Sequence, residues 1–166
     1  MSIKRPDFRL REITSEDLPL FVDFRLHYLS ELQGDNSKKD NAKLKAELEN
    51  YFRNALAENR FFAFVAESDS EMLSFGAMVI KEIPGDFNHS TYLEGDILNM
   101  YTIPRFRKQG ISTAILEKLI EEAKKRGISK VALHASKDGE NMYRNIGFSE
   151  PLYPYLEKIL TSNFTH

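Results

Sequence analysis

The stretch 100–127, MYTIPRFRKQGISTAILEKLIEEAKKRG, constrains the fold of this chain more than any other. An extended apolar run stops at Pro104, a basic turn with a single glycine occupies 105–110, and apolar residues then recur at Ile111, Ala114, Ile115, Leu119, Ile120 and Ala123. This spacing predicts a strand, a loop and an amphipathic helix whose wide apolar stripe lies against a sheet. The helix end is marked: Lys124, Lys125 and Arg126 stand beside the last unpaired carbonyls, and Gly127 follows where a left-handed cap is needed. At the other end Gly110, Ser112 and Thr113 keep the first turn small, leaving its orphan N–H groups open to a ligand. Those amides and the helix dipole favour an anion such as a phosphate, and Arg105, Arg107 and Lys108 add charge at the mouth. Glycine-containing turns before helices are common, however, and most of them bind nothing. Neither the two-glycine phosphate loop nor the three-glycine dinucleotide fingerprint is present.

The rest of the composition narrows the function. At 166 residues, one domain spanning 1–166 is expected. A net charge of -2 argues against a nucleic-acid partner, so the local basic cluster must serve something small. Apolar runs are too short to span a bilayer, and residues 1–10 carry charges where a signal peptide needs an apolar core. A cytoplasmic protein with no membrane partner is expected. Cysteine is absent, which excludes disulfides, thiolate metal sites and any cysteinyl acyl-enzyme. The four histidines have no metal-ligand spacing, and no metal is expected.

Read from the start, 8–13 alternates apolar and charged residues as an edge strand does, and 14–17 is an N-cap cluster. Leu18, Phe21, Val22, Arg25, Leu26 and Leu29 follow at helical spacing to about Gln33, where 34–36 breaks the helix. A second helix is expected over roughly 38–59. Strands are expected at 61–67 and 72–83, joined by a hairpin at 68–71, and again at 91–103. After the central helix, 130–135 reads as a strand parallel to the one before it, reached by a right-handed crossover. A short helix at 138–145 and one or two strands within 152–160 complete the pattern.

The loop Arg107-Lys108-Gln109-Gly110-Ile111-Ser112 resembles the Arg/Gln-x-x-Gly-x-Gly/Ala loop of the GNAT superfamily, the acetyl-CoA-dependent N-acetyltransferases. Pro104 stands three residues before it, and Tyr-x-x-x-Gly-Phe follows at 143–148. The departure is Ser112, where the family has glycine or alanine. The element order is also similar to the GNAT fold, most strongly over 91–148. The fold class this implies is α/β of the α+β type: a mixed, mostly antiparallel central sheet with helices on both faces and a parallel, splayed strand pair at the cofactor site. The resemblance further implies acetyl-CoA as cosubstrate, its diphosphate on Arg107, Lys108, Gln109, Gly110, Ile111, Ser112 and Thr113. The pantetheine arm would run along the backbone of Met100 and Thr102 as though it were another strand. Asn141 is a further candidate contact to the pantetheine or adenosine end.

An acceptor amine with a pKa of about 10.4 costs about 4–5 kcal/mol to deliver unprotonated at neutral pH, so a nearby base is useful. Counting by two from Met100 places Leu98, Asp96 and Glu94 on one strand face, which makes the two carboxylates candidates for base or for attracting the cation. A bulge would change this parity, and the bland alternative is a pair of solvent-facing sheet residues. Tyr143 occupies the place of the family's frequent acid tyrosine, which would protonate the departing thiolate; packing between helix and sheet is its alternative. The resemblance, with no cysteine for a covalent route, implies direct transfer of acetyl to a small-molecule or peptide amine. A non-catalytic acyl-CoA-binding module on the same fold is the second reading. Acceptor identity stays open, as does a homodimer.

Overall fold

The structure, a computed structural model, describes residues 6–34, 41–69 and 71–161. The chain divides into two units, Met1–His134 and Ala135–His166. The first is built on a five-stranded sheet of β1 (Arg9–Glu12), β2 (Phe61–Glu67), β3 (Met72–Pro84), β4 (Thr91–Thr102) and β5 (Ile128–Ala132), ordered as in sequence. Pairing is antiparallel from β1 to β4 and parallel between β4 and β5.

Helices cover both faces, which is why β2, read FFAFVA, is buried at every one of those positions instead of alternating. On one face lie α1 (Leu18–Gln33) and α2 (Asn41–Ala57). Their core is aromatic: the Phe21 ring meets Phe52 at 5.0 Å, Phe61 at 5.5 Å and Phe75 at 5.0 Å, all edge to face. The start of α1 is fixed by Asp17, which accepts from two Arg11 nitrogens at 2.8 Å and from the Thr14 N–H at 2.7 Å. Gly34, at φ 83°, ends it. The expected second helix begins within residues outside those described, and its described part stops at Ala57.

On the other face lies α3 (Ile111–Lys125), with Ile111, Ile115, Leu116, Leu119 and Ala123 buried, the stripe its spacing predicts. It rests in a notch made by Gly76 in β3, where a β-carbon would meet Ile115 Cγ2 at 2.7 Å and Leu119 Cδ1 at 3.0 Å. Gly127, at φ 73°, turns the chain straight into β5, so that strand runs Ile128–Ala132 and not 130–135. The physical reason is Ile128, 8% exposed, whose side chain enters the core as soon as the helix has ended. No helix among the described residues is long and apolar enough to cross a membrane.

The second unit holds α4 (Glu140–Asn145), entered through a turn in which the Ser136 carbonyl accepts from the Gly139 and Glu140 N–H groups at 3.0 Å. The strands expected within 152–160 are not formed: this stretch is exposed and carries no ladder. Pro154 removes a backbone donor from it and Pro151 another just before it, and the apolar residues that suggested strands, such as Leu152 and Leu156, lie open to solvent.

Candidate active site

The site is organised by an irregularity in β4. Tyr101 pairs with Phe75 and Leu98 pairs with Ala77, so Asn99 and Met100 together stand opposite Gly76 alone. This is a bulge, and Asn99 takes the left-handed conformation at φ 55° to make it. The bulge corrects the parity expected from Met100. Leu98, Asp96 and Glu94 do share a face, since their partners Ala77, Val79 and Lys81 alternate along β3, but it is Tyr101 that joins them there. Met100 faces α3 instead, its sulfur in the notch above Gly76 beside Ile115 and Leu119. Asp96 pairs with Lys81 and Glu94 with Lys130, their side chains 30% and 17% exposed. The Lys130 ammonium is held above its usual range by the hydrogen bond to Glu94.

The two parallel strands part before the bulge is reached. The last β4–β5 pair is Asp96 with Ala132, six residues before β4 ends at Thr102. At about 3.3 Å per residue that is about 20 Å of strand past its last β5 partner. An extended chain carrying amides, such as a pantetheine arm, has the donors and acceptors to line such an edge.

The loop then delivers the chain to α3. Pro104–Phe106 forms one tight helical turn, and Lys108 at φ 59° and Gly110 at φ 76° are both left-handed. Regular helical bonding begins with the Ala114 N–H donating to the Gly110 carbonyl at 3.2 Å. Among the described residues no side chain caps this end, so the first-turn amides are available to an anion, as an uncapped N-terminus requires.

The basic residues of the loop divide in role. Arg107 is turned back into the protein: its Nε donates to the Thr102 carbonyl at 2.9 Å, its Nη2 reaches both Glu31 oxygens at 2.8 and 2.9 Å, and its guanidinium lies 5.5 Å from the Tyr101 ring. Arg105 pairs with Glu71. Two of the three charges expected at the mouth are thus already partnered by carboxylates, and Lys108 is exposed. Gln109 donates to the Arg105 carbonyl at 3.2 Å. Ser112 has a structural use that glycine or alanine could not supply. Its hydroxyl lies 2.6 Å from that of Thr102, which lies 2.7 Å from that of Ser74, which donates to the Tyr101 carbonyl at 2.8 Å. This chain of hydroxyls ties the first turn of α3 to β3 and β4.

Tyr143 and Asn141 belong to the second unit. Tyr143 is 8% exposed in α4, its ring edge to face with Phe148 at 5.9 Å, which explains part of the Tyr-x-x-x-Gly-Phe spacing by packing. Asn141 is exposed on the same helix.

Two polar residues beside the bulge escape motif reading. Arg25 of α1 donates to Asn99 Oδ1, and both Arg25 Nε and Asn99 Nδ2 are buried without a hydrogen-bond partner among the described residues. Burial holds the Arg25 guanidinium below its usual range. One signal was present in the sequence: Arg25 falls on the apolar stripe of α1, where a charge is out of place.

A family model described as the acetyltransferase (GNAT) family matches residues 23–148. The chain is 33% identical to a predicted acetyltransferase from Clostridium acetobutylicum, whose crystal structure contains acetyl-CoA; the match covers 93% of this chain and 97% of that one, with a TM-score of 0.81. It is also 29% identical, over 86% of its length, to an uncharacterized N-acetyltransferase of Methanocaldococcus jannaschii, and 29% identical, over 57%, to N-alpha-acetyltransferase 30 of Schizosaccharomyces pombe. It spans 61% and 63% of the length of these two relatives. An aminoglycoside acetyltransferase from a soil metagenome, 15% identical with a TM-score of 0.68, shares the fold. The sheet that splays after Asp96, the bulge opposite Gly76 and the uncapped helix behind a left-handed glycine are therefore the local form of a known architecture, and the chain belongs to the acetyltransferase (GNAT) family.

Proposed function

We propose that this chain is a single-domain, acetyl-CoA-dependent N-acetyltransferase that moves acetyl directly onto a primary amine of a small molecule or peptide. The observation that carries the reading is the uncapped head of α3, preceded by left-handed Gly110, at the end of a strand that outruns its parallel neighbour by six residues. A diphosphate and an extended amide arm are what such a pair of features suits.

When bound, the coenzyme supplies an activated thioester whose carbonyl carbon the amine attacks. The residues do the rest. The amides of 110–113 take the diphosphate, with Lys108 adding charge and Arg107 holding the loop to Thr102 and Glu31. Backbone groups of Met100 and Thr102 orient the arm. Asp96 and Glu94 attract the protonated amine and accept its proton, directly or through water; each must exchange a lysine for the incoming ammonium. Tyr143 gives a proton to the sulfur as the carbon–sulfur bond breaks.

Titration with acetyl-CoA, followed by assay for free thiol across an amine panel, tests the proposal. Amine-dependent thiol release supports it. Binding of acetyl-CoA without such release would favour an acyl-CoA-binding module that transfers nothing.

A further inference from the structure

The bulge of β4 brings a cation and an amide together where neither finds a full set of partners. The two other half-buried arginines among the described residues each hold two carboxylates, Arg11 with Asp17 and Glu67, and Arg126 with Glu12 and Glu122. Arg25 holds none. Its Nη1 donates to Asn99, its guanidinium lies 5.8 Å from the Phe52 ring, and the ionisable groups that face it, Tyr28 and Tyr51, are phenols and not acids. Its Nε and the Nδ2 of Asn99, a residue 4% exposed, are left as buried donors with no hydrogen-bond partner among the described residues. A half-buried cation without a counter-charge and buried donors without acceptors are costly, and each calls for a partner.

We infer that the acceptor is an amine that also carries a carboxylate, taken up by Arg25 and Asn99. This rests on the acetyltransferase reading and names the substrate class of the same site. Asn99 immediately precedes Met100, whose backbone that reading gives to the thioester arm, so the pair adjoins the stretch of strand where that reading puts the thioester. Planar donors on a guanidinium and a side-chain amide match the two oxygens of a carboxylate. A phosphate dianion fits less well, because the other nearby cation, Arg107, is already committed to Glu31.

The test needs no turnover. The protein saturated with coenzyme A is titrated calorimetrically with the N-acetyl derivatives of glycine, alanine, leucine, phenylalanine, lysine and glutamate, each beside its carboxamide, and with N-acetyl-phosphoethanolamine. The expected result is at least one acid that binds about tenfold or more tighter than its carboxamide, as loss of a charge-assisted pair implies. Arg25→Gln should erase that preference while coenzyme A affinity holds within about twofold, which also shows that the variant is folded. Arg25→Lys should retain part of it. Equal binding within every pair, no binding by any acid, a preference that survives Arg25→Gln, or tighter binding of the phosphate compound would each overturn the inference. Amine-dependent thiol release by the unaltered protein reports on the acetyltransferase reading separately.

Discussion

Gly76→Ala tests the notch on which α3 and the bulge both depend. In an open strand this change would stabilise the protein by about 0.5–1 kcal/mol, because glycine pays more backbone entropy than alanine. Here the new methyl would fall 2.7 Å from Ile115 Cγ2 and 3.0 Å from Leu119 Cδ1, with the Met100 sulfur also in its way. Carbons rest at about 3.5–4.0 Å, so α3 must back away from the sheet by some tenths of an ångström or adopt strained rotamers. Overpacking of this kind costs about 1–3 kcal/mol. The cost exceeds the entropic gain, and the net loss should be about 1–2 kcal/mol, read as a lower urea midpoint at unchanged slope. Since Met100 is displaced with the helix, acetyl-CoA affinity should fall too. A Leu119→Ala background removes one clashing partner, and the two changes should couple by about 0.5 kcal/mol or more. A Gly76→Ala protein as stable as its parent, or more so, would refute the close approach.

Further outcomes follow from other contacts. Tyr143→Phe should leave acetyl-CoA binding nearly intact and lower kcat by about 10²-fold or more; an unchanged kcat in steady-state thiol release would remove Tyr143 from the mechanism. Arg107→Met should release the loop from Thr102 and Glu31, speed hydrogen exchange over 105–110 and raise the KM for acetyl-CoA more than it lowers kcat; exchange at the parent's rate would mean that the loop does not need this anchor. The Arg11 guanidinium holds the Asp17 carboxyl near about 2, below its ordinary 3.8. A depressed folded pKa stabilises above the unfolded value and is lost as pH falls through the folded one. Asp17→Asn should therefore cost about 1–2 kcal/mol at neutral pH, after discounting for the half-exposed arginine, and almost nothing at pH of about 2. A cost independent of pH would contradict the pairing.

The parts of this fold that could be read from the chain are those where local pattern and tertiary demand agree. The stripe of α3 and its Lys-Lys-Arg-Gly end, the Phe-rich β2 and the hairpin before β3 all stand as read. Where long-range packing decides, the pattern falls short. A count by two from Met100 meets no interruption in the sequence, and the bulge that upsets it is set by the partner strand, with asparagine's tolerance of left-handed backbone the sole local hint. The first residue of β5 depends on a core position for Ile128, and the C-terminal stretch shows that apolar residues do not make a strand without a neighbour to pair with. Arg107 reads as a cofactor contact by motif, and its side-chain bonds to Thr102 and Glu31 have no local signal in the sequence. Arg25 and Asn99 lie 74 residues apart, and no motif joins them.

The central claim is that the opening amides of α3 grip a diphosphate and so fix where the sulfur lies. A crystal structure of the protein grown with coenzyme A tests it most directly. The account predicts diphosphate oxygens within about 2.7–3.2 Å of backbone nitrogens in 110–113 and the pantetheine arm along β4 beside Met100. A diphosphate bound elsewhere, with this helix end facing water, would contradict it.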